Sequence, residues 1–281
     1  MSTVNLHIFN AGYCTCPEHI ALRGGRWQQI RFPAMFALIE HPRFGQMLFD
    51  TGYSTRFFTE THGLPHRLYR WITPVTLRED QLAVTQLEDY GIRPTDIDRI
   101  FISHFHADHI SALADFPRAR YCYLPQAFDA LRSKRGFQAL IHAYLPGLVP
   151  HDFEQRTAAV DVAHPIPLPP EYAPFTTGFD LLGDETLVAV ELPGHAFGQM
   201  GLLARTERGV FFFISDAAWL MRNIQSNQPP HALANLLFSD PKTYHETLHA
   251  LHTFQHNQTD IHIIPSHCAE TLAKYISNKE F

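Results

Sequence analysis

Ser103-His104-Phe105-His106-Ala107-Asp108-His109 is the stretch that orients the rest of the chain. It places three imidazoles and one carboxylate between positions 104 and 109, and these are the borderline donors that zinc and its first-row neighbours prefer. The run before it, Arg99-Ile100-Phe101-Ile102-Ser103, reads as a short apolar strand, so the cluster is delivered at a strand's C-terminal end. Open α/β sheets place their chemistry at such ends. In an extended segment His104 and His106 project to one side and can share one ion, whereas Asp108 and His109 need a tight turn to reach a second. A His-rich solvated loop is the competing reading, and it weakens as further residues of the same kind are found.

Three such residues follow, each just after an apolar run. Thr186–Leu192 ends in Pro193-Gly194-His195, Gly209–Ser215 ends in Asp216, and Ile261–Ile264 ends in Pro265-Ser266-His267. With His104, His106, Asp108 and His109 they make five histidines and two aspartates, a number suited to two metal ions that share a carboxylate.

Elsewhere the pattern alternates strands with helices. Val4–Phe9 reads as a strand, and Phe36–Asp50 as a hairpin turning at His41–Gly45. Glu79–Tyr90 reads as a helix with Leu82, Leu87 and Tyr90 inward, stopped by Gly91. A further helix starts at Asp240 as N-cap with Pro241 behind it and runs to about His256, and a short one ends near Ile276. The whole is expected to be a single domain, 1–281, of two pseudo-symmetric halves with a seam near 160–175, where His164–Pro174 is proline-rich. The segment at about 53–76 is expected to be a helical lid-like insert.

Bulk properties narrow the functional classes. The 281 residues carry 45% hydrophobic and 18% charged side chains, an ordinary globular composition. A formal net charge of −6 disfavours a nucleic-acid partner. The start Met1-Ser2-Thr3-Val4-Asn5 lacks a signal peptide's basic and apolar regions, and no run approaches 18 apolar residues. A cytoplasmic protein without membrane contact is expected. Cys14, Cys16, Cys122 and Cys268 have no zinc-knuckle or redox spacing and read as free thiols.

Taken in order, Leu48-Phe49-Asp50-Thr51-Gly52, His104–His109, Leu192–His195, Ile214-Ser215-Asp216 and Pro265-Ser266-His267 resemble the motifs of metallo-β-lactamase-fold hydrolases, over nearly the whole chain. The resemblance implies an α/β fold of αββα type, a four-layer sandwich of two mixed sheets flanked by helices. It implies two divalent metal ions, zinc first, with iron, manganese or cobalt also compatible. His104, His106 and His195 would hold the first ion, Asp108, His109 and His267 the second, and Asp216 would bridge both. Asp50 resembles a buried aspartate that orients the histidine loop, although a purely structural role at the hairpin end fits as well. A hydroxide bridging the two ions would attack a carbonyl, and Asp108 could shuttle the proton.

Within that family the N-acyl-homoserine lactonase-like group is the most similar. Classical β-lactamases place Cys where Asp216 stands, flavodiiron enzymes use Glu at the position of His106, and glyoxalase II-type thiolesterases add a helical domain where only 14 residues follow His267. Arg56–Phe58 and Leu64–Ile72 could supply aromatic pocket walls, and Phe137–Val149 could complete them for an acyl chain; core packing or a homodimer interface is the other reading. Lactonases of this group carry Tyr three residues after the bridging aspartate, whereas this chain has Trp219, which can donate through its indole N–H but cannot act as an acid. The expected activity is therefore hydrolysis of a small-molecule ester or lactone with an apolar portion, N-acyl-homoserine lactones included, with Asp108 and Trp219 as catalytic candidates. A phosphodiesterase of the same fold and a non-catalytic metal-bound sensor are the alternatives. His245, His249, His252 and His256 form a stripe on the helix after Asp240, and the adjacent apolar face of Tyr244, Leu248 and Leu251 leaves them to solvent or a partner.

Overall fold

The computed structural model describes residues 2–258 and 260–276. Among these described residues twelve strands form two six-stranded sheets. The first contains β1 (Asn5–Pro17), β2 (Gln29–His41), β3 (Gly45–Phe49), β4 (Val75–Thr76), β5 (Ile97–Phe101) and β6 (Arg120–Cys122), in the order β4-β1-β2-β3-β5-β6. The second contains β7 (Ile166–Pro167), β8 (Thr177–Asp180), β9 (Leu187–Glu191), β10 (Met200–Thr206), β11 (Gly209–Ser215) and β12 (Ile261–Pro265), in the order β12-β11-β10-β9-β8-β7. Both are mixed: β3, β5 and β6 run parallel, as do β11 and β12, and the remaining pairs are antiparallel.

Alternation within strands explains the four layers. In β2, Met35, Ala37 and Ile39 join Met47, Phe49 and Phe101 in the core between the sheets, where Phe211, Phe213 and Ile264 of the second sheet meet them. The intervening Phe36, Leu38, Leu48 and Ile100, and Phe212 and Ile214 opposite, face outward onto helices. Both faces of each sheet are therefore covered, and the apolar runs are continuous rather than alternating with polar residues. The helix Pro241–Asn257 covers the second sheet through Leu248, Leu251 and Phe254, and Asp240 caps it by accepting from the amides of Lys242 and Thr243 at 3.0 and 3.2 Å. Among the described residues no helix is long and apolar enough to cross a membrane.

Two local readings are corrected. The first strand continues to Pro17, because a bulge between Asn10 and Tyr13, with Gly12 at φ +80°, carries the pairing past the break in alternation. The segment 79–90 is a 3₁₀ turn followed by a helix, Ala83–Asp89, whose inner face is Ala83, Gln86 and Leu87; Tyr90 lies outside, edge-on to His7 and Phe9. Gly91, at φ +74°, ends it as expected. In the segment 53–76 two helices form, Thr55–Glu60 and Arg67–Ile72, with Phe57 buried and Trp71 and Ile72 exposed. Phe137 and Ile141 are also exposed, while Tyr144, Leu145 and Leu148 are core.

Candidate metal centre

Five strand ends converge at one edge of the sandwich. β3 leads into Asp50, β5 into Ser103–His109, β9 into His195, β11 into Asp216 and β12 into His267. His104, His106, His195 and Asp216 each offer one donor atom within 4.8 Å of the others, and Asp108, His109 and His267 form a second such group. All seven side chains are buried. Asp216 touches both groups: Oδ2 lies 3.2 Å from His195 Nε2 and 3.0 Å from His267 Nε2, and Oδ1 lies 3.4 Å from His109 Nε2. Every metal-type residue singled out from the sequence is thus brought to one place.

Outer contacts fix the rings. His109 Nδ1 donates to Asp50 Oδ2 at 2.7 Å, which turns Nε2 toward Asp216. Its carbonyl accepts from the Thr51 amide at 2.9 Å and the Thr51 hydroxyl at 3.0 Å. His267 Nδ1 donates to the Pro33 carbonyl at 2.8 Å, aiming its Nε2 at Asp216 and, at 3.3 Å, at Asp108 Oδ2. His104 Nδ1 lies 3.1 Å from Ser103 Oγ and 3.3 Å from Ser215 Oγ. Such partners set the tautomer that leaves the other nitrogen free to bind.

The inward atoms are left wanting a cation. Among the described residues, His104 Nε2, His109 Nε2 and Asp216 Oδ1 are buried without a hydrogen bond, the last two facing each other only at 3.4 Å. His195 Nε2 meets His106 Nδ1 at 3.0 Å, a contact between two lone pairs unless a proton or cation sits there. Buried polar atoms are almost always satisfied, so a cluster of exceptions needs a ligand. The donor set of imidazoles and carboxylates fits divalent first-row ions.

Titration in the metal-free chain follows the same geometry. Burial, reinforced by neighbouring imidazoles, holds His104 and His106 well below the ordinary histidine range. Burial also pulls on His109, but Asp108, Asp50 and Asp216 outweigh it and hold its proton on. Burial works against the charge of Asp216 too, yet His267, His109 and His195 keep it ionised well below the usual carboxylate range.

Several participants were not found from the sequence. Ser103 Oγ donates to Asp50 Oδ2 at 2.7 Å and accepts from Ser215 Oγ at 2.8 Å. A signal existed: Ser103, Ser215 and Ser266 each immediately precede a metal-type residue. Trp219 is buried, 6.0 Å from the His195 ring and flanked by Phe32 and Phe238 at 5.7 and 5.6 Å. Tyr69, from the helix Arg67–Ile72, is held protonated by burial and then by the charge of Asp108. Beside His106 and His195 a narrow opening is lined by Leu131, His142, Ala196, Phe197, Leu237 and Ser239, none of them lysine or arginine. On the helix after Asp240, His252 meets the Ile224 carbonyl at 2.8 Å and His249 meets Asn227 at 3.0 Å, while His245 and His256 are exposed.

Comparison with known proteins agrees with this picture. Residues 37–124 match the metallo-beta-lactamase superfamily. N-acyl homoserine lactonase AttM of Azorhizobium caulinodans is 27% identical over 237 residues, 84% of each chain. The AttM of Agrobacterium fabrum is 26% identical over 242 residues, again 84% of each. Among solved structures, an N-acyl homoserine lactone hydrolase with N-hexanoyl-L-homoserine at its catalytic metal centre superposes with a TM-score of 0.71 at 17% identity, covering 98% of this chain and 97% of that one. The dizinc quorum-quenching lactonase AidC gives 0.64 at 13%, covering 96% and 89%.

Proposed function

We propose that this chain, which belongs to the metallo-β-lactamase superfamily, is a dinuclear metal-dependent hydrolase of lactones or esters with an apolar portion, N-acyl-homoserine lactones foremost. One observation carries the reading: Asp216 lies against both ligand groups at once, with unpartnered donor atoms facing inward from each. His104, His106 and His195 would hold one ion, Asp108, His109 and His267 the other, and Asp216 would bridge. Zinc suits this donor set, as do iron, manganese and cobalt.

When bound, two divalent ions supply a water acidified toward neutrality and an electrophile for the carbonyl oxygen. The chain's own residues do the rest. Asp50 and Pro33 orient His109 and His267 through their outer nitrogens. Asp108, at the rim of the buried cluster and 3.3 Å from His267 Nε2, is placed to accept and return a proton at Oδ2. Trp219 stands beside His195, where its indole N–H can donate to the substrate's acyl oxygen. Phe197, Leu237 and Phe238 supply the apolar contact that an acyl chain needs and a phosphodiester does not.

The deciding experiment is a hydrolysis panel on metal-replete protein: acyl-homoserine lactones of several chain lengths, aryl esters, a β-lactam and a phosphodiester. Lactone turnover that disappears in Asp108→Ala, with folding retained, is the expected result. Two equivalents of metal with no turnover of any carbonyl substrate would point instead to a sensor.

A further inference from the structure

The far end of the first sheet carries a second cluster, of a single sign. Although the chain has a formal net charge of −6, Arg43, Arg99, Arg118 and Arg120 line one cleft of about 590 Å³ together with Phe44, Gly45 and Asp98. The cleft lies at the N-terminal ends of the parallel strands β3, β5 and β6, whereas the metal-type residues follow the C-terminal ends of β3 and β5. From Arg99 to His104 along an extended chain is roughly 17 Å. The two sites are separate.

The arginines are held together rather than scattered. Arg99 and Arg120 are direct partners in the β5–β6 register, a placement that puts like charges side by side and works against the sheet. Arg43 and Arg99 both sit over Phe44, at 4.9 and 5.5 Å from the ring centre. Among the described residues none of the four forms an ion pair; the one hydrogen bond their side chains make is from Arg120 Nη2 to the Thr157 carbonyl at 3.4 Å. Guanidinium cannot shed its proton to relieve the repulsion. Asp98 is the one carboxylate in the lining against four cations, and Asp96 next to it is engaged by Arg93 while also feeling the charge of Arg118.

We infer that this cleft binds an oligophosphate, a chain of two or more linked phosphate groups. Guanidinium forks match phosphate oxygens in pairs, and four of them exceed what one phosphate can occupy. A cleft of this size falls within the range of small-ligand sites. Because Phe44 is already covered by Arg43 and Arg99, recognition falls on the phosphate chain rather than on a stacked base.

Calorimetric titration of the metal-loaded full chain with tripolyphosphate and pyrophosphate, at constant ionic strength, tests this against the R99Q/R120Q double variant. Tripolyphosphate should bind the parent at least tenfold more tightly than it binds the double variant, and more tightly than pyrophosphate binds the parent. These anions also chelate divalent ions, but that heat is common to parent and variant, so the difference reads the cleft; equal metal contents before titration make the comparison fair. Without ligand the double variant should melt higher than the parent, because the facing cations are gone. Should it fail to fold, R118Q at an exposed position serves the same comparison, with a severalfold loss expected. Equal affinities in parent and variant, or citrate binding as tightly as tripolyphosphate, would overturn the assignment.

Discussion

Asp50→Asn isolates what a single buried carboxylate does for the metal centre. Asp50 is fully buried and accepts three hydrogen bonds: from the Ser103 amide at 2.8 Å, the Ser103 hydroxyl at 2.7 Å and His109 Nδ1 at 2.7 Å. Its φ of +57° is tolerated by Asn as readily as by Asp, so the backbone loses little. The amide oxygen can keep the Ser103 amide bond. The amide NH₂ then faces Ser103 Oγ and His109 Nδ1 as a donor, which both can accept only if the imidazole moves its proton to Nε2. All three bonds survive, the two at the amide nitrogen in reversed sense. Losing charge assistance costs about 1 kcal/mol per bond, and no longer burying a carboxylate offsets part of that. A net loss below about 2 kcal/mol lowers the melting temperature by less than roughly 8 °C. The functional effect is larger, since Nε2–H points at Asp216 and cannot bind a cation. Loss of such an outer partner weakens metal affinity about 10–100-fold, or roughly 1.4–2.7 kcal/mol. Metal content by plasma mass spectrometry after dialysis against graded free zinc, read beside a thermal melt, separates the two effects. A variant that holds two ions with parental affinity would refute the tautomer argument.

Gly194→Ala should cost roughly 2–5 kcal/mol, because Gly194 sits at φ +119° and a Cβ there runs into the Tyr244 backbone at the start of the helix that covers it; denaturant titration reads this, and a loss under 1 kcal/mol would contradict it. Trp219→Phe keeps the packing against Phe32 and Phe238 but removes the indole N–H, so kcat/KM on the best lactone should fall about 5–10-fold, the worth of one neutral hydrogen bond; no change would remove Trp219 from the mechanism. In metal-free protein, His104 and His106 have folded pKa values below the unfolded value, so the unfolded chain binds the extra protons and stability falls as pH drops below about 6.5, by up to about 1.4 kcal/mol per pH unit for each. For His109, whose folded pKa is raised once the carboxylates overcome burial, the contribution is complete below about 6.5 and is lost as pH rises above it; urea midpoints at pH 5, 6.5 and 8 should therefore peak in the middle, and a steady climb would be the wrong sign.

What the sequence revealed and what it concealed divide along chain separation. The His104–His109 spacing is local, and His195, Asp216 and His267 each follow a short apolar run, so both signals lie within a few residues. The sandwich follows from the same runs, since β11 must be apolar on both faces to serve the inter-sheet and outer cores. The partners that orient the cluster are remote: Asp50, which only the family resemblance pointed to, lies 53 residues from Ser103 and 59 from His109, and Ser215 lies 112 from Ser103. No periodicity reports such pairs. Tyr90 is concealed for another reason: its helical spacing points to the core, whereas the helix ends one residue earlier and the ring lies across β1. The aromatic surroundings of Trp219 come from β2 and from the loop before Pro241, which only the tertiary fold joins.

Two non-glycine residues with positive φ mark how the halves are tied. Asp50, at +57°, follows β3 in the first sheet, and Ser215, at +50°, ends β11 in the second. The left-handed conformation costs each about 1–2 kcal/mol, so each needs a compensating contact. Both find it on Ser103: its hydroxyl donates to Asp50 and accepts from Ser215. One side chain therefore joins the two strained strand ends. Ser103 directly precedes His104, and Ser215 directly precedes Asp216, the residue shared by both ligand groups. A shift of one sheet against the other would break the Ser103–Ser215 bond before it could part His104 from Asp216, so the donors supplied by the two sheets are held as one unit. That coupling is why the strain sits at these two positions and why Ser103, which bears no metal-binding atom of its own, is as constrained as the histidine beside it.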